Sequence, residues 1–135
     1  MMYITRRVHF NAAHKLYNPA WSKEKNEEVF GKCANENWHG HNYVLYVTVK
    51  GEIDPETGYV TDAKALHELI QRKILDQVDH RNLNLDVPFM KGKICSTENF
   101  AKAIWEQLAP EIRQGKLHCV KLYETENIYV EYFGD

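Results

Sequence analysis

From Tyr43 to Val49 the chain reads Tyr-Val-Leu-Tyr-Val-Thr-Val, with Tyr43, Leu45, Val47 and Val49 on alternate positions. Successive side chains of a strand point to opposite faces, so these four residues mark one face of a strand that ends near Ile53. The segment Tyr3–Phe10 alternates in the same way, with Ile4, Val8 and Phe10 on its even positions, and reads as an earlier strand. Two more strands close the chain, about Leu117–Glu124 and Ile128–Phe133, around the short turn Thr125-Glu126-Asn127. Between these pairs the period changes. Thr61-Asp62 caps a helix whose Leu66, Leu69, Ile70 and Ile74 share a stripe. Ser96-Thr97 caps another, with Phe100, Ile104 and Leu108 inward and Pro110 near its end. Asp54-Pro55-Glu56-Thr57-Gly58 is a turn, and Lys15–Lys32, broken at Asn18-Pro19, is a polar loop or short helix. The expected order is ββααββ: an α+β fold with a four-stranded antiparallel sheet and two helices on one face. Such a sheet has two unpaired edges, which assembly with other subunits would cover.

The 135 residues make one domain, 1–135, with 44% apolar and 27% charged residues, a globular composition. A formal charge of −2 speaks against nucleic acid held by a general basic field. No apolar run approaches the roughly 20 residues of a membrane span. The N-terminal residues Met1-Met2-Tyr3-Ile4-Thr5-Arg6-Arg7 have no apolar stretch behind them, unlike a signal peptide. Cys33, Cys95 and Cys119 are odd in number and far apart, which suits reduced thiols in the cytoplasm.

The sharpest chemical feature is His39-Gly40-His41 at the start of the second strand. Residues i and i+2 share a face, so both imidazoles converge on one point, while glycine leaves the opposite face bare. His14 follows the first strand and continues its even-numbered face. If the two strands pair, His14 comes opposite His39-Gly40-His41. Three histidines with a fourth position open is the arrangement of catalytic zinc, and no Cys-x-x-Cys offers a closed structural site. Ligand type alone leaves iron, nickel and copper open. His9, His67 and His118 lack this geometry and read as surface or core histidines.

Cys33 lies six residues before His39 and beside Lys32. A thiol near a divalent cation and an ammonium favours the thiolate and could act as a base; otherwise it is a small buried residue, the reading given to Cys95 and Cys119. Asp79-His80 places a carboxylate beside an imidazole, a pair that moves protons near neutral pH or sits as a solvated helix end. Glu124 ends the third strand on the face of Val120 and Leu122. There a carboxylate could hold an amino-heterocycle through two hydrogen bonds, or be solvated.

In order along the chain stand Phe10-Asn11-Ala12-Ala13-His14, Cys33, His39-Gly40-His41-Asn42-Tyr43, Asp79-His80-Arg81-Asn82-Leu83, Ser96-Thr97-Glu98-Asn99 and Tyr123-Glu124-Thr125. This set resembles the 6-pyruvoyl-tetrahydropterin synthase family from end to end, and Gly51–Gly58 looks like its animal branch. The resemblance implies a tunnelling fold, in which subunits join their sheets into a barrel as trimers and two trimers stack as a hexamer. It implies zinc on His14, His39 and His41, a proton-abstracting thiol at Cys33, and an acid–base relay at Asp79 and His80 that reaches the thiol across a subunit interface. Glu124 matches the carboxylate that anchors the pterin ring and takes part in the relay; Ser96, Thr97 and Glu98 align with a segment lining the pterin pocket. The implied substrate is 7,8-dihydroneopterin triphosphate.

Five residues separate Cys33 from His39, as in the animal-type synthase. The similar 6-carboxy-tetrahydropterin synthase of the queuosine pathway usually has a shorter spacing, and the branch leading to folate carries glutamate in place of the cysteine. The resemblance therefore implies the pyruvoyl product, with the carboxy product as the alternative. Trp38 stands where animal members have a small residue, and Ser96 replaces a threonine. A metal- or pterin-binding module without catalysis is the alternative of another class, but mere binding needs no thiol and relay.

Overall fold

A computed structural model covers residues 1–135. The first two strands are long: β1 spans Met2–His14 and β2 spans His39–Gly51. They pair antiparallel over their whole length, in a register that sets Val8 opposite Leu45, Phe10 opposite Tyr43, Ala12 opposite His41 and His14 opposite His39. The alternation read from the sequence is thus the core face itself. Val8, Phe10, Ala12, Tyr43, Leu45, Val47 and Val49 are all buried. His14 belongs to β1 as its last residue, where the apolar alternation alone had ended the strand at Phe10.

The connection between β1 and β2 contains α1 (Lys23–Phe30), capped by the Ser22 hydroxyl, and a 3₁₀ turn at Gly31–Ala34. The polar Lys15–Lys32 segment is therefore a short helix rather than a loop. Its one buried residue, Asn26, holds Asn18 through a backbone N–H to Oδ1 bond of 2.7 Å and an amide to carbonyl bond of 3.0 Å.

Helix α2 (Ala63–Ile70) starts at Asp62, whose carboxylate accepts the amides of Lys64 and Ala65. A π turn, Gln71–Leu75, and one further turn, α3 (Asp76–Val78), continue the rod. Then comes β3 (Arg81–Asn82), followed by helix α4 (Thr97–Leu108), capped by Ser96. The chain ends with β4 (Lys116–Thr125) and β5 (Ile128–Tyr132). The stripes of α2 and α4, including Leu66, Ile70, Phe100 and Ile104, join the strands' inner face in one core of 25 buried residues.

The sheet corrects the expected four antiparallel strands. It has five, in the order β3-β1-β2-β4-β5, and is mixed because β3 runs parallel to β1. The physical reason lies in His80, whose φ of 60° turns the chain sharply out of the helix and lets its amide donate to Asn11 O at 2.6 Å. Arg81 and Asn82 then lie against Ala12 and Ala13. Two residues carry no alternation, so nothing in the sequence marked them as a strand. Within one chain the sheet is open. Most of β1's outer edge and all of β5's stay unpaired, and Ile128 and Tyr129 on β5 are exposed. No helix is long and apolar enough to cross a membrane.

Candidate active site

Three imidazoles meet where β1 and β2 end their pairing. Their ring centroids are 4.5 Å apart for His14 and His39, 5.0 Å for His14 and His41, and 4.9 Å for His39 and His41. One ring nitrogen from each lies within 4.8 Å of the others. The register explains the convergence: Ala12, opposite His41, is too small to fill the space between the rings. Gly40 faces the other way. A methyl group there would meet only Ala12 O at an ordinary 3.5 Å, so glycine relieves no clash and instead leaves the outer face open between two shallow clefts.

Hydrogen bonding selects the nitrogen that His14 offers. Its Nδ1 lies 2.8 Å from the Cys95 carbonyl oxygen, which accepts only from an N–H, so Nδ1 carries the proton and Nε2 keeps its lone pair. That Nε2 is buried with no hydrogen-bond partner, as is Nε2 of His41. Buried polar atoms are seldom left orphaned; here two of them belong to one three-histidine cluster. The donor set, with the orphaned Nε2 atoms of His14 and His41, fits a cation that takes neutral nitrogen ligands, and zinc foremost. Such a nitrogen held by a backbone carbonyl behind it is the usual support of a metal-binding histidine.

Burial lowers the pKa of His14 below the usual 6.5, opposed by its bond to Cys95 O and reinforced by His39. Burial, and then His41, lowers that of His39. The unfolded chain takes up these protons more readily than the folded one, so folded stability falls as pH drops from 6.5 through the depressed values. The metal-free protein is expected to show a falling thermal midpoint on acidification through this window. A His14→Gln variant should show a shallower fall, and an equal slope in both would contradict the assignment.

Glu124 approaches from β4. It is the residue at which the β4–β5 register shifts, between Tyr123 and Thr125, and such a bulge re-aims a side chain. One carboxylate oxygen accepts a hydrogen bond from the Thr97 hydroxyl at the start of α4. The other lies 3.5 Å from His41 Nε2, within ion-pair range but too long to satisfy that nitrogen. Thr97 is buried, Ser96 uses its hydroxyl to cap α4 through Asn99 N at 3.2 Å, and Glu98 is exposed in the first turn. Of the segment expected to line a pocket, only Thr97 touches the carboxylate.

Asp79 and His80 lie beyond the other side of β1. Asp79 Oδ1 accepts from His80 Nδ1 at 2.9 Å and from Asn11 N at 3.0 Å. The imidazole's far nitrogen is turned outward, its side chain 77% exposed. His80 lines a cleft of about 560 Å³ with Gly40, His41 and Asn42, and a second cleft of about 690 Å³ runs from the same three residues to Glu124. Cys33 sits half-buried in the 3₁₀ turn, its carbonyl accepting from Leu16 N at 2.7 Å. It lines neither cleft. The single chain thus gathers His14, His39, His41, Thr97 and Glu124, while His80 shares a cleft with His41 and Cys33 lines neither cleft.

Sequence reasoning missed two supports. The Cys95 carbonyl that orients His14 is a backbone atom and leaves no residue signature. The Tyr43 hydroxyl, 3.4 Å from His14 Nδ1, belongs to a residue read only as core; burial holds that phenol neutral. Cys95 and Cys119 are both buried, as expected, and burial pushes the Cys95 thiol up to about 11, unsuited to nucleophilic work.

Comparison with known proteins identifies the family. The family model described as 6-pyruvoyl tetrahydropterin synthase matches residues 3–135. The 6-pyruvoyl tetrahydrobiopterin synthase of Pongo abelii is 46% identical over 98% of this chain and 91% of its own length; that of Dictyostelium discoideum is 42% identical over 98% and 96%. The solved structure of Caenorhabditis elegans 6-pyruvoyl tetrahydropterin synthase superposes with a TM-score of 0.94 at 39% identity, covering 99% of this chain and 96% of that one. By sequence and fold together, the chain belongs to the 6-pyruvoyl tetrahydropterin synthase family.

Proposed function

We propose that this protein is a zinc-dependent lyase that converts 7,8-dihydroneopterin triphosphate to 6-pyruvoyl-tetrahydropterin with release of triphosphate. The observation that carries the reading is the pair of orphaned nitrogens, His14 Nε2 and His41 Nε2, with Glu124 at 3.5 Å from the latter. A metal site and a carboxylate side by side can hold the two ends of a pterin that carries a hydroxylated side chain. The relatives named above, at 42% and 46% identity, supply the substrate class.

His14, His39 and His41 would hold the ion, which when bound supplies Lewis acidity to the side-chain hydroxyls. Glu124, fixed by Thr97, accepts hydrogen bonds from the amino and ring N–H groups of the pterin. Cys33 takes a proton from a side-chain carbon, and the carbon–oxygen bond to triphosphate breaks with its electron pair leaving on the triphosphate. His80, held by Asp79, returns protons so that the two hydroxyl-bearing carbons end as carbonyls while the ring gains two hydrogens. The internal redox balance closes without nicotinamide.

Cys33 lines neither the cleft of His80 nor that of Glu124, which supports a site completed between subunits. On this reading the unpaired edges of β1 and β5 join neighbouring sheets into a barrel, as trimers stacked into a hexamer. The free thiols suit a reducing compartment, the cytoplasm. The direct test is to incubate the zinc-loaded protein with the triphosphate substrate. One triphosphate released per pterin consumed is expected; tight pterin binding without release would make it a binding module.

A further inference from the structure

The β1–β2 ladder stops at the pair His14–His39, and the two residues just beyond it are Lys15 and Trp38. Trp38 cannot extend the ladder, because its φ is 65°, in the left-handed region that residues with a side chain seldom adopt. Its amide is turned back to Asn35 O at 3.2 Å. Only His80 among the other non-glycine residues has a positive φ, and strained backbone of this kind persists where the surroundings enforce it.

A side-chain contact takes the place of the missing ladder bonds. Lys15 Nζ lies 4.3 Å from the centroid of the Trp38 ring and 5.1 Å from that of Tyr17, inside the range of a cation–π interaction. The Lys15 backbone is itself pinned: its amide donates to Asn84 Oδ1 at 3.0 Å and its carbonyl accepts from Asn84 Nδ2 at 3.2 Å. Lysine and tryptophan therefore bridge the two strands one residue beyond the two histidines that face each other across them.

We propose that Lys15 and Trp38 are positioning residues, a cation–π clamp that closes the open end of β1 and β2 and holds His14 and His39 at the spacing a metal ion requires. This rests on the reading of the three histidines as one metal site. It assigns Trp38, bulky at a position with a left-handed backbone, a task that a small residue there could not perform. Without the clamp the strand ends splay, and the loop carrying Cys33 moves with Trp38.

The test loads wild type, Lys15→Met, Lys15→Arg, Trp38→Leu and the Lys15→Met/Trp38→Leu double variant with zinc and follows its loss into excess chelator. Leucine makes the same backbone demand as tryptophan but offers no π face. Lys15→Met and Trp38→Leu are each expected to release zinc roughly tenfold faster, as for other outer supports of metal ligands. The double variant should be no faster than either single one, because both break the same contact. Lys15→Arg should keep the wild-type rate, since a guanidinium also stacks on indole. Thermal midpoints of the metal-free forms should stay close to wild type. Wild-type release rates in both single variants, additive effects in the double, or metal-free midpoints that fall in step with the release rates would overturn the clamp. Wild type that holds no zinc would instead overturn the metal reading beneath it.

Discussion

Alanine at His39 or at His41 is expected to leave the protein folded, without zinc, and slower by roughly a thousandfold or more, since a Lewis acid supplies several kcal/mol and each ~1.4 kcal/mol is a factor of ten. The fold should survive because neither residue belongs to the apolar core. Both sit at the start of β2, only part-buried, while the strand's stability resides in Tyr43, Leu45, Val47 and Val49. Metal content and far-ultraviolet circular dichroism measured on the same samples separate loss of the ion from loss of the fold. Full zinc occupancy in both variants would reject the three-histidine site. The two residues also differ in a checkable way. His41 stands next to Glu124, so its loss should weaken binding of a pterin without a side chain as well; His39→Ala should spare that binding.

A comparable loss is expected from Cys33→Ala and from His80→Ala, about a hundredfold to ten-thousandfold each, the range that a positioned general base or acid contributes. Mixing the two inactive proteins under exchange should then restore activity. If Cys33 of one subunit works with His80 of its neighbour, random mixing leaves about a quarter of the sites intact, one half times one half, as a shared interface requires. The geometry favours this outcome. The His80 imidazole points outward, and Cys33 lines neither cleft that reaches His41. No recovery in a mixture whose subunits had measurably exchanged would place both groups in a single chain's site.

The two predictions rest on features of unequal legibility. His39 and His41 were readable as a pair because period two is strict: once Tyr43–Val49 is a strand, residues 39 and 41 share its inner face. His14 was harder. Its place depends on the register of β1 against β2, and those strands are joined by a helix-bearing connection rather than a tight turn, so no turn type dictated the pairing. The resemblance of the Phe10–His14 segment supplied what the pattern could not. Asp62 and Ser96 announced their helices by capping chemistry and appear as the caps. By contrast, Arg81–Asn82 became a parallel strand through the amides of His80 and Leu83 donating to Asn11 O and Ala13 O and through a left-handed His80, none of which has a compositional signal. Glu124 was placed on the correct face by alternation, but the bulge that aims it depends on how β5 pairs, information that β4 alone does not hold. The contact between Thr97 and Glu124 joins residues 27 apart in the chain, and only folding reveals it.

The spacing between Cys33 and His39 now has a structure. A 3₁₀ turn ends at Ala34, Asn35 accepts the Trp38 amide, and Trp38 takes a left-handed φ before His39 enters the strand. On the proposed mechanism the first proton abstraction is common to the pyruvoyl and the carboxy routes, which differ in whether the side chain is held while triphosphate leaves. Asn35, Asn37 and Trp38, which lead into His39, are the residues best placed to hold it. A loop-shortened protein should therefore consume substrate while losing the pyruvoyl product disproportionately.

Product identification by mass spectrometry, after incubating the zinc-loaded wild-type protein with 7,8-dihydroneopterin triphosphate, tests the account most directly. The predicted result is 6-pyruvoyl-tetrahydropterin with equimolar triphosphate and the three-carbon side chain intact. Formation of the 6-carboxy compound alone, with acetaldehyde released, would contradict it and assign the protein to queuosine synthesis.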